Sequence, residues 1–388
     1  MLALPSIVLR DHLVLCEADR LRVLNPTARC LWEIHRDTGD VGRAAAWLVE
    51  TYGLSVEQAK QDIAALFRPD PQADPGAGEL PTTPALRATP PCPRRGKNLA
   101  EPAMQRTSAI ATRAYESHYR LYDRPFALRC TTAELARAIE PLFAHLRVEA
   151  VAGPWFEIAG HDDGFTGWRD QQGLFATASL DGAVIGLFSA ILQYACAERD
   201  SIAILHAGAV SNSHTALVLA EAGGRGKSTL TAALLARGYR YLSDDVVPLE
   251  RGSGYAIPVP ICLNLKPGSV PVLADLYPEL PHLPAWRSGN RSLRFLSPPE
   301  FARRRPDRPY PVAALVFPRY QPNAEPTLQP LDPVAVLTRL METDTLFDRP
   351  LNPAKIGELC AWIEATPAYT LAYGDLAAAL ETLATLWP

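Results

Sequence analysis

The stretch "EAGGRGKST", residues 221–229, decides how the rest of this chain is read. It nearly satisfies the phosphate-gripping pattern GxxxxGK[ST], with Gly226, Lys227 and Ser228 in the required order, but Glu221 stands where the pattern has its first glycine. The flanks suit the pattern. Residues 203–210 (AILHAGAV) and 215–220 (TALVLA) are short apolar runs expected as strands buried in a sheet. After the loop, Leu230, Ala233 and Leu234 share one face of an expected helix that closes at Arg237 and Gly238. Strand, glycine loop and helix in that order aim backbone N–H groups at one point, at the positive end of a helix.

That arrangement grips phosphate. Gly223, Gly224, Arg225, Gly226, Lys227, Ser228 and Thr229 are therefore the candidate nucleotide site, with Lys227 reaching the β- and γ-phosphates of ATP and the Ser228 hydroxyl ligating Mg²⁺. Glu221 sits where the strand leaves the sheet, before the amides that wrap phosphate. A carboxylate aimed inward there would repel the nucleotide, so it is expected to point away, with Gly223 and Gly224 supplying the flexible middle of the loop.

A second constellation follows closely. "YRYLSDDVVPL", residues 239–249, reads as a strand ending in Asp244 and Asp245. One carboxylate at a strand end is what such a site needs for Mg²⁺, and a second beside it invites a base role, taking the proton from an attacking hydroxyl. Asp244 is assigned to the metal and Asp245 to the base, an order that residue type alone leaves open. His206, in the strand before the loop strand, is placed beside the phosphates, although a lone histidine in an apolar strand is more often a core residue.

The remainder limits what this site can belong to. At 388 residues, two or three domains are expected. A net charge of -4 offers no general attraction for nucleic acid or an anionic membrane. The seven cysteines stand singly with no CxxC pair, which points away from a disulfide scaffold and towards a reducing cytoplasm. The N-terminus lacks a basic, then apolar, export signal. Residues 180–197 (LDGAVIGLFSAILQYACA) are apolar, but they contain Asp181 and two glycines and run into Glu198, Arg199 and Asp200, so a buried helix is expected rather than a membrane span.

Prolines at 69, 71, 75, 81, 84, 90, 91 and 93 mark a semi-rigid linker over 69–106. Before it, residues 1–68 read as three short strands (6–10, 12–17, 21–24) and three helices. The first helix has Asn25 as N-cap and Pro26 at its first position, with Cys30, Leu31 and Ile34 facing inward. The second carries Val41, Ala45, Leu48 and Val49. The third opens with a capping box, Ser55 and Gln58, and carries Val56, Ala59, Ile63 and Leu66. After the linker, 107–200 reads as an accessory α/β subdomain with a helix over 132–146, and 201–388 as the unit holding the loop.

Two resemblances enter here. "LNPTARCLWEI" followed by two amphipathic helices resembles the PqqD family, whose members bind the leader segment of ribosomally made precursor peptides. The elements read as a winged-helix-like α+β module. The likeness spans about residues 2–68 and implies leader-peptide binding. Because Leu21, Arg22, Val23 and Leu24 are expected as a third strand beside a hairpin, flanked by the helix 55–67, a peptide is expected to add along that open edge. "ILHAGAV", "EAGGRGKST" and "YLSDDVV" together resemble the C-terminal catalytic domain of HPr kinase/phosphorylase and its relatives in peptide-biosynthesis clusters. That likeness is strong over about 200–250 and looser through "PAYTLAYGDL". It implies an α/β nucleotide-loop kinase core in which His206, Lys227, Ser228, Asp244 and Asp245 inherit the active site. The chain departs from that family at Glu221 and Gly223, and the family's later glycine-rich signature is missing. HPr itself and the reverse phosphorylase reaction are therefore not expected.

The expected function is an ATP- and Mg²⁺-dependent kinase of a Ser or Thr hydroxyl in a precursor peptide, with no nucleic-acid or membrane partner. A peptide-presenting adaptor with an idle loop, and an ATPase or nucleotidyl transferase, stay open, as does a homo-oligomer. Arg287, Arg291 and Arg294, in a loop-like region, and Arg303, Arg304, Arg305 and Arg308 are candidate phosphate or acidic-peptide contacts, although such runs are more often solvated. "HDDGF", 161–165, reads as a polar turn.

Overall fold

A computed structural model describes residues 4–17, 20–67, 115–197, 199–289, 291–300 and 308–387, a mixed α/β chain. The expected linker and Arg303 to Arg305 lie outside the described residues. Two compact units separate, and the first gathers the N-terminal residues with 333–337 and 348–364.

In the first unit, β1 (Ser6–Leu9), β2 (His12–Cys16) and β3 (Leu21–Leu24) form an antiparallel sheet in that order. Among the described residues no strand pairs with the far edge of β3. Helix α1 (Pro26–Thr38) starts as its sequence dictates: the Asn25 side chain accepts the Ala28 N–H at 2.8 Å, and Pro26 takes the first turn. Helix α2 (Val41–Tyr52) stops at Gly53, which is left-handed. Helix α3 (Val56–Phe67) has half of its capping box. The Ser55 hydroxyl accepts the Gln58 N–H at 3.2 Å, but the Gln58 side chain donates to Asp62 instead of turning back.

Leu13, Leu15, Leu24, Leu31, Trp32, Leu48 and Ile63 form the centre of this core. Three expectations are corrected here. Leu31 and Trp32 are buried in α1 and Ile34 packs half-buried against them as expected, while Cys30 is half-buried and is not part of this core. Val41 and Val56, at the first turns of α2 and α3, are 41% and 56% exposed. The Arg22 guanidinium donates to the Leu66 carbonyl at 2.8 Å and pairs with Glu17 at 2.8 Å, tying β3 to the end of α3.

The second unit begins with β4 (Tyr115–Leu121), β5 (Arg124–Cys130), α4 (Ala133–Phe143), β6 (Arg147–Val148), β7 (Trp155–His161), β8 (Gly164–Arg169), β9 (Gln172–Thr177) and α5 (Leu180–Cys196). The strands form one sheet in the order β6-β4-β5-β7-β8-β9. The helix expected over 132–146 is α4 capped by Thr132, with a tighter turn at Ala144–Leu146. Helix α5 is the apolar stretch, buried at Val184, Leu187, Phe188 and Ile191, and Phe188 stacks on Phe295 at 4.4 Å. No helix among the described residues is long and apolar enough to cross a membrane. His161 pairs with Gly164, so Asp162 and Asp163 are a two-residue hairpin loop, and the His161 ring meets the Thr166 hydroxyl at 2.9 Å.

The unit continues with β10 (Ser201–Leu205), β11 (Ala207–Ser211), β12 (Ala216–Ala220), α6 (Lys227–Ala236), β13 (Arg240–Ser243), β14 (Val247–Glu250), β15 (Leu263–Leu265), α7 (Val270–Leu273), β16 (Trp286–Ser288) and β17 (Arg291–Leu296). It ends with β18 (Val312–Tyr320), β19 (Thr327–Pro330), α8 (Pro333–Glu342), α9 (Pro353–Ala365), β20 (Ala368–Tyr373) and α10 (Leu376–Ala384), although the start of α8 and nearly all of α9 belong to the first unit. The main sheet runs β13-β11-β12-β18-β20-β19, with β12, β18 and β20 mutually parallel. Leu217, Val218, Leu219 and Ala220 are fully buried, as an apolar run in a sheet covered on both faces requires. Leu230, Leu234 and Leu235 bury α6 against this sheet, each contributing roughly 1.5–3 kcal/mol, and so fix where its N-terminus points.

The run 203–210 is not one strand. It breaks at His206: β10 pairs with β14, whereas β11 pairs with β12 and β13. The partner chain breaks at the matching place, with Asp244 and Asp245 between β13 and β14. A single straight strand cannot serve both the main sheet and the β10-β14 ribbon, so both chains bend where they pass from one to the other. The region of Arg287, Arg291 and Arg294 is likewise strand, not loop. β16 and β17 form a hairpin, and β17 also pairs with β15.

Candidate active site

Strand β12 ends at Ala220, and the chain turns through residues 221–226 into α6. Gly224 and Gly226 take left-handed φ values of 89° and 99°, which glycine adopts without strain. Gly226 is doubly constrained, because a Cβ placed on it would lie 2.3 Å from the Tyr373 hydroxyl at the end of β20. Lys227 is buried, and its ammonium folds back to donate to the Glu221 carbonyl and, at 3.4 Å, to the Ala222 carbonyl. Burial lowers the Lys227 pKa, opposed by the charges of Asp244 and Asp245.

The Glu221 carboxylate has partners of its own. It accepts the Ala222 N–H at 2.9 Å and lies 3.7 Å from the Arg339 guanidinium, which in turn covers the Phe317 ring. The charge that replaces the pattern's first glycine is thus held by a backbone donor and a cation.

Asp244 is 1% exposed. One of its oxygens accepts the Asn264 N–H at 2.9 Å, while Oδ1 makes no hydrogen bond of ordinary geometry, although the Ser228 hydroxyl lies near enough to favour the charged form. Burial, then the Asp245 charge, pushes the Asp244 pKa up to about 7. Gly208 on β11 makes the close approach of α6 possible: a side chain there would collide with the Thr231 hydroxyl. Asp245 is less buried, and its carboxylate accepts from the Asn264 side-chain amide at 3.4 Å. The His206 ring is hydrogen-bonded to the backbone of Asp245; burial first, then the Lys227 charge, lowers its pKa.

The sheet-to-sheet bend therefore brings His206, Asp244 and Asp245 together, and α6 brings Lys227 and Ser228 to the same place. An orphaned carboxylate oxygen beside a serine hydroxyl is a donor set that suits Mg²⁺, and left-handed glycines before a helix N-terminus suit phosphate. Among the described residues no three His, Cys, Asp or Glu side chains form a cage that would hold a metal by themselves. Three of the other arginines are engaged in contacts of their own. Arg294 donates to the Leu283 carbonyl at 3.1 Å, the Arg287 N–H donates to Asp181 at 2.9 Å, and Arg308 lies over the Tyr310 ring.

Four groups at the site were not singled out from sequence: Asn264, Lys266, Ser269 and Tyr373. Ser269 meets the Thr229 hydroxyl at 2.8 Å. A signal existed in "LNLK", where Leu263 and Leu265 alternate with Asn264 and Lys266, the period of a half-buried strand with a polar face. Compared with known proteins, the chain matches no protein-family model and no curated protein.

Proposed function

We propose that this chain is an ATP-dependent kinase that phosphorylates a Ser or Thr hydroxyl of a ribosomally made precursor peptide, on a nucleotide-loop core of the HPr kinase type. One observation carries the reading: the bend shared by β10-β11 and β13-β14 gathers His206, Asp244 and Asp245 against Lys227 and Ser228 at the start of α6. Catalysis of phosphoryl transfer is mostly positioning and charge neutralisation, so such a cluster is sufficient chemistry. When bound, Mg²⁺-ATP supplies the phosphoryl group. Lys227 and the amides of Gly223 to Thr229 hold its phosphates, and Ser228 and Asp244 are the metal-facing oxygens. Asp245 takes the proton from the acceptor hydroxyl as the new bond to phosphorus forms and the bond to the nucleotide breaks. The greater exposure of Asp245 favours this assignment, since a base must reach an incoming substrate. His206, bonded to the backbone at Asp245, holds that residue in place.

The first unit is read as a PqqD-type leader clamp. The open edge of β3 supports this, because an extended peptide adds to such an edge through main-chain hydrogen bonds. The test incubates full-length protein with Mg²⁺, ATP and a candidate precursor peptide and follows peptide mass. A gain of one phosphoryl group, lost in Lys227→Ala and strongly slowed for a leaderless peptide or in Val23→Pro, is the expected result. A nucleotidyl-sized gain would mean a transferase. An unchanged peptide, together with no nucleotide binding, would leave an adaptor.

A further inference from the structure

Lys266 is the cation that the site's own logic leaves without a task. It follows β15, whose residues alternate strictly: Leu263 and Leu265 are fully buried, while Asn264 and Lys266 take the opposite side. Asn264 binds both aspartates, through its N–H to Asp244 and its side-chain amide to Asp245. Two residues on, a Cβ placed on Gly223 would lie 3.3 Å from the Lys266 ammonium, so that ammonium stands directly over the phosphate loop. Its charge is felt by Lys227 as a repulsion. Three residues further, Ser269 is hydrogen-bonded to Thr229 at the first turn of α6. The segment 264–269 is thereby fastened at both ends, to the aspartates and to the helix.

Among the described residues the Lys266 ammonium has no hydrogen-bond or ion-pair partner, although Asn264, two residues before it, binds both Asp244 and Asp245. Holding two ammonium groups over one glycine loop is unfavourable unless an anion lies between them. The orphaned, 1% exposed Asp244 oxygen at the same site calls for a cation in the same way. Together an unpaired ammonium and an unpaired carboxylate oxygen make a cluster suited to a divalent cation bound to polyphosphate.

Resting on the nucleotide reading above, we propose that Lys266 is a second phosphate-binding cation, which grips the terminal phosphoryl group of a nucleoside triphosphate from the side of the loop opposite Lys227. Lys227 enters from within the loop, held by the carbonyls of Glu221 and Ala222. Lys266 enters from outside, over Gly223. The absence of a side chain at Gly223 is what lets it come so close.

The test titrates Mg²⁺-ATP and Mg²⁺-ADP separately onto the full chain by calorimetry, for the native protein, Lys266→Ala, Lys266→Arg and Lys227→Ala. Lys266→Ala should weaken ATP about tenfold or more, the scale of one lost charge-assisted contact, and ADP less than about threefold. Lys266→Arg should recover most of the ATP affinity. Lys266 is exposed, so thermal unfolding of Lys266→Ala without nucleotide should match the native protein and show that the fold is intact. Equal weakening of ATP and ADP would overturn the inference, because the cation would then read the inner phosphates. Unchanged affinity for both nucleotides, with binding abolished in Lys227→Ala, would overturn it while sparing the nucleotide reading. Failure of the native protein to bind either nucleotide would remove both.

Discussion

Replacing Asp244 by Asn should stabilise the protein in the absence of ligand while removing its response to Mg²⁺. Asp244 is 1% exposed, one oxygen is unpartnered, and a second carboxylate is its sequence neighbour. Its pKa is carried from an ordinary 3.8 to about 7, so the folded chain holds this proton more tightly than the unfolded chain does. Stability from this group is therefore greatest in acid. It falls as pH rises from about 4 to about 7 and is flat above that. At pH 8 the ionised carboxylate costs the folded state on the order of 4 kcal/mol. Asparagine keeps an acceptor for the Asn264 N–H but leaves an amide poorly partnered in the position of Oδ1, which takes back about 1–3 kcal/mol.

A net gain of roughly 1–3 kcal/mol remains, which in a unit of this size raises the melting temperature by roughly 2–9 °C. The assay is thermal unfolding at pH 8 and again at pH 5, with and without Mg²⁺-ATP. The variant should melt higher than the native protein at pH 8, and the difference should shrink at pH 5. Added Mg²⁺ should sharpen ATP stabilisation in the native protein and do little in the variant. A variant that melts several degrees lower than the native protein at pH 8 would refute the reasoning, because Asp244 would then be a satisfied structural carboxylate, not a charge held in wait for a metal.

Glu221→Gly should keep the stabilisation by Mg²⁺-ATP and change ligand-free stability by less than about 1 kcal/mol, since the pair with Arg339 is long and partly exposed; differential scanning fluorimetry reads both. Asp245→Asn should bind nucleotide as the native protein does yet transfer phosphoryl more slowly by roughly 10², measured in a single-turnover assay. Gly226→Ala should lose nucleotide binding and destabilise by about 1–3 kcal/mol, and adding Tyr373→Phe should recover only part of this, because φ at residue 226 stays left-handed after the collision is removed.

What could be read from the sequence was local, and what could not was brought together by topology. The helix starts at Asn25-Pro26 and Thr132, the buried helix 180–196 and the glycine loop before α6 each follow from residues within one or two turns of one another. Val41 and Val56 misled because periodicity identifies a face but not where along the helix that face meets the core. The break at His206 was hidden for a similar reason. "AILHAGAV" has the composition of one strand, and only the need to pair with β14 on one side and with β12 and β13 on the other bends it.

The same bend explains why the site needs residues from so far along the chain. Asp244 and Asp245 lie where the chain leaves the main sheet, past the last paired residue of β13, so their carboxylates are free to meet groups from other parts of the chain. Asn264 on β15, about twenty residues later, meets both, and the strand's period then obliges Lys266 to share the Asn264 face. Tyr373 arrives from still further away, because β20 is two strands from β12 in the sheet and ends beside the loop. A motif search therefore finds the loop and the paired aspartates and stops, since the groups completing the site have no fixed spacing from them. Asn264 links the two halves: it touches both aspartates and sits on the strand that presents Lys266. Asn264→Ala should consequently impair metal response and ATP affinity together, whereas Lys266→Ala should affect ATP affinity alone. If the two substitutions prove indistinguishable in a Mg²⁺ titration at fixed ATP, β15 is only a cover for the site and not the element that couples its cation and anion halves.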